Sequence, residues 1–219
     1  MRTKIFFTTL LLFVGLITNA QIKKDNWGSK NQEQNNTSSS NNKKTTSGNL
    51  LDASDNYSGK TKIGKNCLIM ATAHIAHDCH IGNNSIVVNG VALGGHVVIG
   101  KYAIIGGLAA VHQFIHIGDH AMVSGGSLVR KDVPPFTKAG KEPLSYVGIN
   151  SIGLRRRGFS TEKIRQIQDI YRILYQKNYN NTQAVEKIEA EMEATPERDE
   201  IILFIKNSQR GIMKGYWGG

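Results

Sequence analysis

The 219-residue sequence predicts an all-β fold, a left-handed parallel β-helix of about four hexapeptide coils, followed by a small α-helical C-terminal domain. Three observations predict it. An aliphatic residue recurs at every sixth position, twelve times, from Ile63 to Val129. The residue four positions further on is always small or β-branched, and the residue directly after the aliphatic is glycine in six of the twelve repeats. A step of six over 72 residues fits neither an amphipathic helix nor a continuous strand, so the chain must turn every six residues.

The repeat predicts a β-helix domain over residues 61–135, in which three short strands form one triangular coil. Eighteen residues then make one coil, and four coils rise roughly 19 Å at about 4.8 Å each. We expect each aliphatic to point inward and each following glycine to supply backbone freedom at a corner. The first coil leaves an open edge at Ile63, so we expect a cap or a partner there, and trimerisation is the usual solution for this architecture.

Residues 136–159 are interpreted as a connecting segment, and residues 160–219 as the helical domain. Apolar residues in this domain recur at helical spacing behind three capping signals. The predicted helix starts are Ser160, Thr182 and Thr195-Pro196.

Residues 1–20 have the pattern of a secretory signal peptide: Arg2 and Lys4, an apolar run over 5–17, then small residues up to Ala20. Thirteen apolar residues are too few to span a hydrocarbon core, which takes about 20 in a helix, so no stable membrane span is predicted. An uncleaved N-terminal anchor is the alternative. Residues 21–60 are rich in Asn and Ser and are predicted to be a disordered linker.

The net charge of +10 is unevenly distributed: +5 over residues 1–62, +1 over 63–134 and +4 over 135–219. The basic linker has only Trp27 and Tyr57 as aromatic residues, which argues against nucleic-acid binding. Two cysteines are too few for a disulfide scaffold. The basic tail would suit an acidic protein partner.

Histidine is the compositional anomaly, because all seven histidines fall within residues 63–134. An 18-residue coil places His77 beside Gly95, with His96 one residue further along. The full set is His74, His77, His80, His96, His112, His116 and His120. We expect four of them, His74, His77, His96 and His112, to lie along one edge. They could be ordinary polar surface residues. A zinc site is the other alternative, but Asp78 is the only matching carboxylate, so no metal site is predicted.

An imidazole beside a glycine favours acyl transfer, with histidine as general base and a glycine N–H stabilising the oxyanion. The sequence has no Gly-x-Ser-x-Gly motif, and both cysteines, Cys67 and Cys79, occupy inward positions. The predicted reaction is therefore a direct transfer from a thioester to an alcohol, without a covalent enzyme intermediate.

Several long motifs, in order and spacing, resemble the UDP-N-acetylglucosamine acyltransferases of lipid A biosynthesis. The resemblance covers about residues 58–214. The motifs lie at 73–79 (AHIAHDC), 94–97 (GGHV), 104–107 (IIGG), 110–114 (AVHQF), 132–135 (DVPP) and 148–160 (GINSIGLRRRGFS).

The resemblance implies transfer of a 3-hydroxyacyl chain from acyl carrier protein to the 3-hydroxyl of UDP-N-acetylglucosamine. His77 would be the general base, Asp78 would support it, and Gly95 would supply the oxyanion N–H. Gly125 matches the position that limits acyl-chain length. The residues implied to hold the nucleotide sugar or the donor are His74, His96, His112, Gln113, Asn150 and Arg156. The implied assembly is a homotrimer, the helical tail would contact the carrier protein, and no cofactor is implied beyond the phosphopantetheine that the donor carries.

The chain departs from the family upstream of Ile63, where family members have further coils and this sequence has the signal-like segment and the linker. The resemblance implies a cytoplasmic location, whereas the signal-like segment argues for export. Two alternatives therefore stay open. One is a hexapeptide acyltransferase that uses acyl-CoA, and the other is an inactive, truncated or exported β-helix protein.

Overall fold

The computed structural model describes residues 59–176 and 179–215. The predicted signal peptide, 1–20, and the predicted linker, 21–60, except its last two residues, lie outside the described residues. Within the described part of the chain, no helix is long and apolar enough to cross a membrane.

Twelve two-residue strands repeat every six residues, as the sequence pattern predicts. They are β1 Lys62–Ile63, β2 Leu68–Ile69, β3 His74–Ile75, β4 His80–Ile81, β5 Ile86–Val87, β6 Ala92–Leu93, β7 Val98–Ile99, β8 Ile104–Ile105, β9 Ala110–Val111, β10 His116–Ile117, β11 Met122–Val123 and β12 Leu128–Val129.

These strands form the three parallel sheets of a β-solenoid. The first sheet is β1-β4-β7-β10, the second contains β2-β5-β8-β11, and the third is β3-β6-β9-β12. Paired residues lie 18 apart, as Ile63 pairs with Ile81 and Ile81 with Ile99. The prediction of a parallel β-helix of about four coils is therefore confirmed.

Three edges separate the sheets, and each is named here by its residues. The histidine edge (76–78, 94–96 and 112–114) follows the strands of the third sheet. The aromatic edge (64–66, 82–84, 100–102 and 118–120) follows those of the first sheet. The glycine edge (70–72, 88–90, 106–108 and 124–126) follows those of the second sheet.

The recurring aliphatic residues form the core of the solenoid, as predicted. From Ile81 to Val129 each of them is at most 4% exposed. Ile63 in the first coil is 51% exposed, which matches the open edge expected at this end.

The expectation that glycine supplies backbone freedom at the corners is wrong for the six glycines that follow an aliphatic residue. None of the six has a positive φ. The left-handed backbone occurs two residues after this repeat position, at residues such as Asp78 and His96. These glycines instead permit close stacking. A Cβ on Gly82 would lie 2.7 Å from the carbonyl carbon of Gly100, and one on Gly106 would overlap the backbone nitrogen of Gly125.

The segment after the solenoid continues the second sheet. Strand β13 (Thr137–Gly140) pairs in parallel with β11, and β14 (Ser145–Ile149) pairs antiparallel with β13. Helix α1 (Ser151–Arg156) follows, within the predicted connecting segment.

Three longer helices complete the tail: α2 (Thr161–Gln176), α3 (Asn181–Glu191) and α4 (Pro196–Asn207). Ser160 and Thr195 accept hydrogen bonds at the predicted starts. The predicted start at Thr182 is wrong, because Asn180 caps α3 through a reciprocal pair of hydrogen bonds with Gln183. The short strand β15 (Lys214–Gly215) then joins β14, so the tail also contributes to the second sheet.

Replacing Gly106 with Ala should lower the free energy of unfolding by about 1–3 kcal/mol, because the new Cβ would overlap the backbone of the next coil. Gly107→Ala is the matched control, since its Cβ would meet nothing closer than 3.2 Å and its φ is not left-handed. Urea denaturation followed by circular dichroism measures both. Equal losses in the two variants would contradict the stacking explanation.

Candidate functional site

The histidine edge brings His77 and Gly95 into contact across two coils. Strands β3 and β6 pair in register, so the residues that follow them also lie 18 apart. A Cβ on Gly95 would lie 2.7 Å from both Cε1 and Nε2 of His77. The imidazole therefore packs against the Gly95 backbone, in space that only glycine leaves open.

Asp78 joins two histidines at this edge. Its Oδ2 atom lies 2.9 Å from Nδ1 of His77 and 3.9 Å from Nε2 of His96. The two imidazole rings meet edge to face with centroids 5.0 Å apart. The predicted contact of His77 with Asp78 and His96 is thus present.

The pKa of Asp78 is lowered, chiefly by the hydrogen bond from His77 and further by the charge of His96, against an opposing effect of burial. An ionised carboxylate can only accept hydrogen bonds, so Nδ1 of His77 carries the proton. In the neutral form of this ring, Nε2 of His77 has a free lone pair, as a general base requires. The His77 side chain is 71% exposed, so a substrate can reach it.

The stack at this edge extends to two residues that the sequence analysis gave no role. The ring of Phe114 stacks on His96 at 4.7 Å, and the guanidinium of Arg210 lies 5.5 Å from the centroid of the Phe114 ring. The 18-residue step from His96 points to Phe114. The repeat spacing does not indicate Arg210, because this residue reaches the edge only after the tail folds back.

The other residues predicted for the histidine edge lie near His77 and Gly95 in the stacked coils. His74 is on β3, exposed, and paired with Ala92. His112 and Gln113 lie one coil beyond Gly94 and Gly95, and Nδ1 of His112 is 3.1 Å from the carbonyl oxygen of Gln113.

The remaining predicted site residues lie on the other two edges. Gly125 is on the glycine edge, against Gly107. Asn150 is buried beside the aromatic edge, where it donates to the carbonyl of His120 and accepts from the N–H of Gly153 at the start of α1. Arg156 is exposed at the end of the same helix. In a single chain, the predicted site residues are therefore spread over all three edges.

The aromatic edge holds a second stack, in which His120 lies between Tyr102 and Phe136 at 4.9 and 5.6 Å. Burial lowers the pKa of His120 to about 4, so it is neutral at pH 7. Arg157 donates to the Tyr102 carbonyl and lies over its ring. This histidine packs as an aromatic residue.

Comparison with known proteins finds similarity to one group of acyltransferases. The family model described as Udp N-acetylglucosamine O-acyltransferase, Domain 2, matches residues 132–213, and that of the bacterial transferase hexapeptide matches residues 60–95. An acyl-[acyl-carrier-protein]–UDP-N-acetylglucosamine O-acyltransferase from Halorhodospira halophila is 43% identical over 156 residues, and one from an Anaeromyxobacter species is 40% identical over 156 residues. Over its described residues, the chain is therefore similar to the UDP-N-acetylglucosamine O-acyltransferases.

The alignments cover only part of this chain and only part of each relative. Each alignment takes in 71% of this chain, which spans 60% of the Halorhodospira relative and 61% of the Anaeromyxobacter relative. The crystal structure of the UDP-N-acetylglucosamine acyltransferase from Bacteroides fragilis matches with a TM-score of 0.67 at 48% identity, over 68% of this chain and 58% of that one.

Replacing His77 with Ala should raise the pKa of Asp78, because the variant loses the hydrogen bond that lowers it. A depressed carboxyl pKa stabilises the fold above the unfolded-state pKa, and this stability is lost as the pH falls through the folded-state pKa. The variant should therefore lose less stability on acidification. NMR titration of the Asp78 carboxyl carbon measures the shift, with His112→Ala as control. An unchanged Asp78 pKa in His77→Ala would refute the hydrogen-bonded pair.

Proposed function

We propose that this chain transfers a 3-hydroxyacyl group from acyl carrier protein to the 3-hydroxyl of UDP-N-acetylglucosamine, the first step of lipid A biosynthesis. The observation that carries the proposal is the imidazole of His77, oriented by Asp78 and packed on Gly95. The relatives named above, which bear this activity in their names, support the choice of substrates.

In the proposed mechanism, Nε2 of His77 removes the proton from the sugar hydroxyl as its oxygen attacks the thioester carbonyl. The negative charge moves to the carbonyl oxygen. Collapse of this tetrahedral intermediate breaks the carbon–sulfur bond, and the departing phosphopantetheine thiolate takes the proton from the His77 imidazolium. No acyl group becomes attached to the protein. Asp78 keeps the proton on Nδ1 and stabilises the imidazolium.

Gly95 would stabilise the oxyanion through its backbone N–H. The amides on either side are already used: Gly94 donates to the Val111 carbonyl and His96 donates to the His77 carbonyl. Within the part of the chain that the structure describes, the Gly95 N–H makes no hydrogen bond to a protein acceptor. This amide is therefore available to a substrate beside the His77 ring.

A homotrimer would complete the site. His77 and Gly125 lie on different edges of one prism, so a second copy can bring its Gly125 toward the His77 of the first. A ring of three prisms satisfies this for every copy by the same contact. His74, His96, His112 and Gln113 would then hold substrate from one copy, and Gly125, Asn150 and Arg156 from its neighbour.

The acyl carrier protein would approach the helical tail. Residues 135–219 carry a net charge of +4, which favours an acidic carrier. Arg210 places one of these positive charges at the histidine edge itself. We propose a cytoplasmic site of action, where carrier protein and nucleotide sugar are available.

The activity assay mixes the full purified chain with 3-hydroxyacyl carrier protein and UDP-N-acetylglucosamine. Turnover should fall about 100-fold or more in His77→Ala, because the general base is lost. His80→Ala is the matched control, since it removes an imidazole from the first sheet and should retain activity. Light scattering on the same sample reports whether the active species has the mass of a trimer.

Three outcomes would contradict the proposal. Turnover that survives His77→Ala unchanged rejects His77 as the base. Turnover with acyl-CoA in preference to acyl carrier protein favours a different hexapeptide acyltransferase. A folded wild-type chain that binds neither substrate favours the inactive β-helix protein.

A further inference from the structure

The side chains of His77, Asp78 and His96 form a cluster with the dimensions of a metal site. Each offers one ligand atom, and the three atoms lie within 4.8 Å of one another. A four-coordinate zinc ion with bonds of about 2.0–2.1 Å separates its ligands by roughly 3.3 Å. The separations of the two imidazole nitrogens from the Asp78 oxygen, 2.9 and 3.9 Å, lie on either side of that value. Small side-chain rotations would therefore suffice for coordination.

The chemistry of the cluster also suits zinc. Two imidazoles and one carboxylate are ligands that zinc prefers in sites with an open position. The second oxygen of Asp78, Oδ1, is buried and accepts no hydrogen bond within the described part of the chain. The His77 side chain is exposed, so solvent and metal ions can reach the cluster from this side.

We propose that the histidine edge binds one zinc ion per chain through His77, Asp78 and His96, and that bound zinc inhibits the enzyme. The inhibition rests on the proposed function. Coordination uses the imidazole of His77 and the carboxylate that orients it, so these groups no longer act as the general base and its support. The metal is thus a regulator that competes with catalysis, and catalysis itself needs no metal.

Zinc binding is tested first, by isothermal titration of the metal-free full chain. His96→Ala and Asp78→Asn should each weaken zinc binding about tenfold or more, since each removes a ligand. His74→Ala and His112→Ala are matched histidine deletions close to the same edge and should bind zinc within about twofold of the wild type. Unchanged affinity in both ligand variants, with a native circular dichroism spectrum, would overturn the site.

Cobalt substitution identifies the ligands directly. The proposed site should give the visible absorption of tetrahedral cobalt without a thiolate-to-cobalt charge-transfer band. The partly exposed Cys67 is the competing ligand, so Cys67→Ser should leave the spectrum unchanged. A charge-transfer band that Cys67→Ser abolishes would overturn the assignment.

The inhibition is tested separately, in the acyl-transfer assay. Zinc should inhibit the wild type, excess chelator should restore turnover, and His96→Gln should need at least about tenfold more zinc for half inhibition. Zinc that binds at this site without slowing turnover would refute the inhibition. A wild type without turnover would defeat the proposed function, while the titration and the cobalt spectrum would still decide the metal site.

Discussion

Successive coils of the β-helix stack in an 18-residue register, and each corner residue takes its neighbours from that stacking. Backbone amides hold the register, as when Lys62 donates to Cys79 in the next coil and His80 donates to Val97 in the one after. Glycine occupies half of the positions that directly follow a recurring aliphatic residue. There it lets the backbone of one coil lie directly on that of the next. The same register continues past corners without glycine, as where Val88 donates to Ile105.

The candidate site is a direct product of the stacking. Asp78, His96 and Phe114 occupy one column of corner positions, and all three have a left-handed backbone. That conformation is uncommon outside glycine. Their side chains contact one another along the edge, while the neighbouring column places His77 on Gly95. The fold thus positions the proposed base His77, its carboxylate partner and the candidate oxyanion N–H through the same register that buries the core.

The hexapeptide period was sufficient to predict the core and the contact between His77 and Gly95, because both follow from spacing alone. Spacing does not distinguish a glycine needed for close packing from one needed for a left-handed φ, so it does not predict the role of the corner glycines. Arg210 and β15 reach their places through tertiary folding of the tail, and Asn180 replaces Thr182 as the cap because it forms the reciprocal pair with Gln183. Such contacts leave no periodic signal.

The contact between His77 and Gly95 is the central claim, and the turnover number of Gly95→Ala tests it most directly. The added Cβ would meet the His77 ring at 2.7 Å and displace it from its hydrogen bond with Asp78. A displacement of this size should lower the turnover number about 100-fold or more, even though the backbone N–H is retained. A folded Gly95→Ala variant that turns over acyl donor and nucleotide sugar at the wild-type rate would contradict the account.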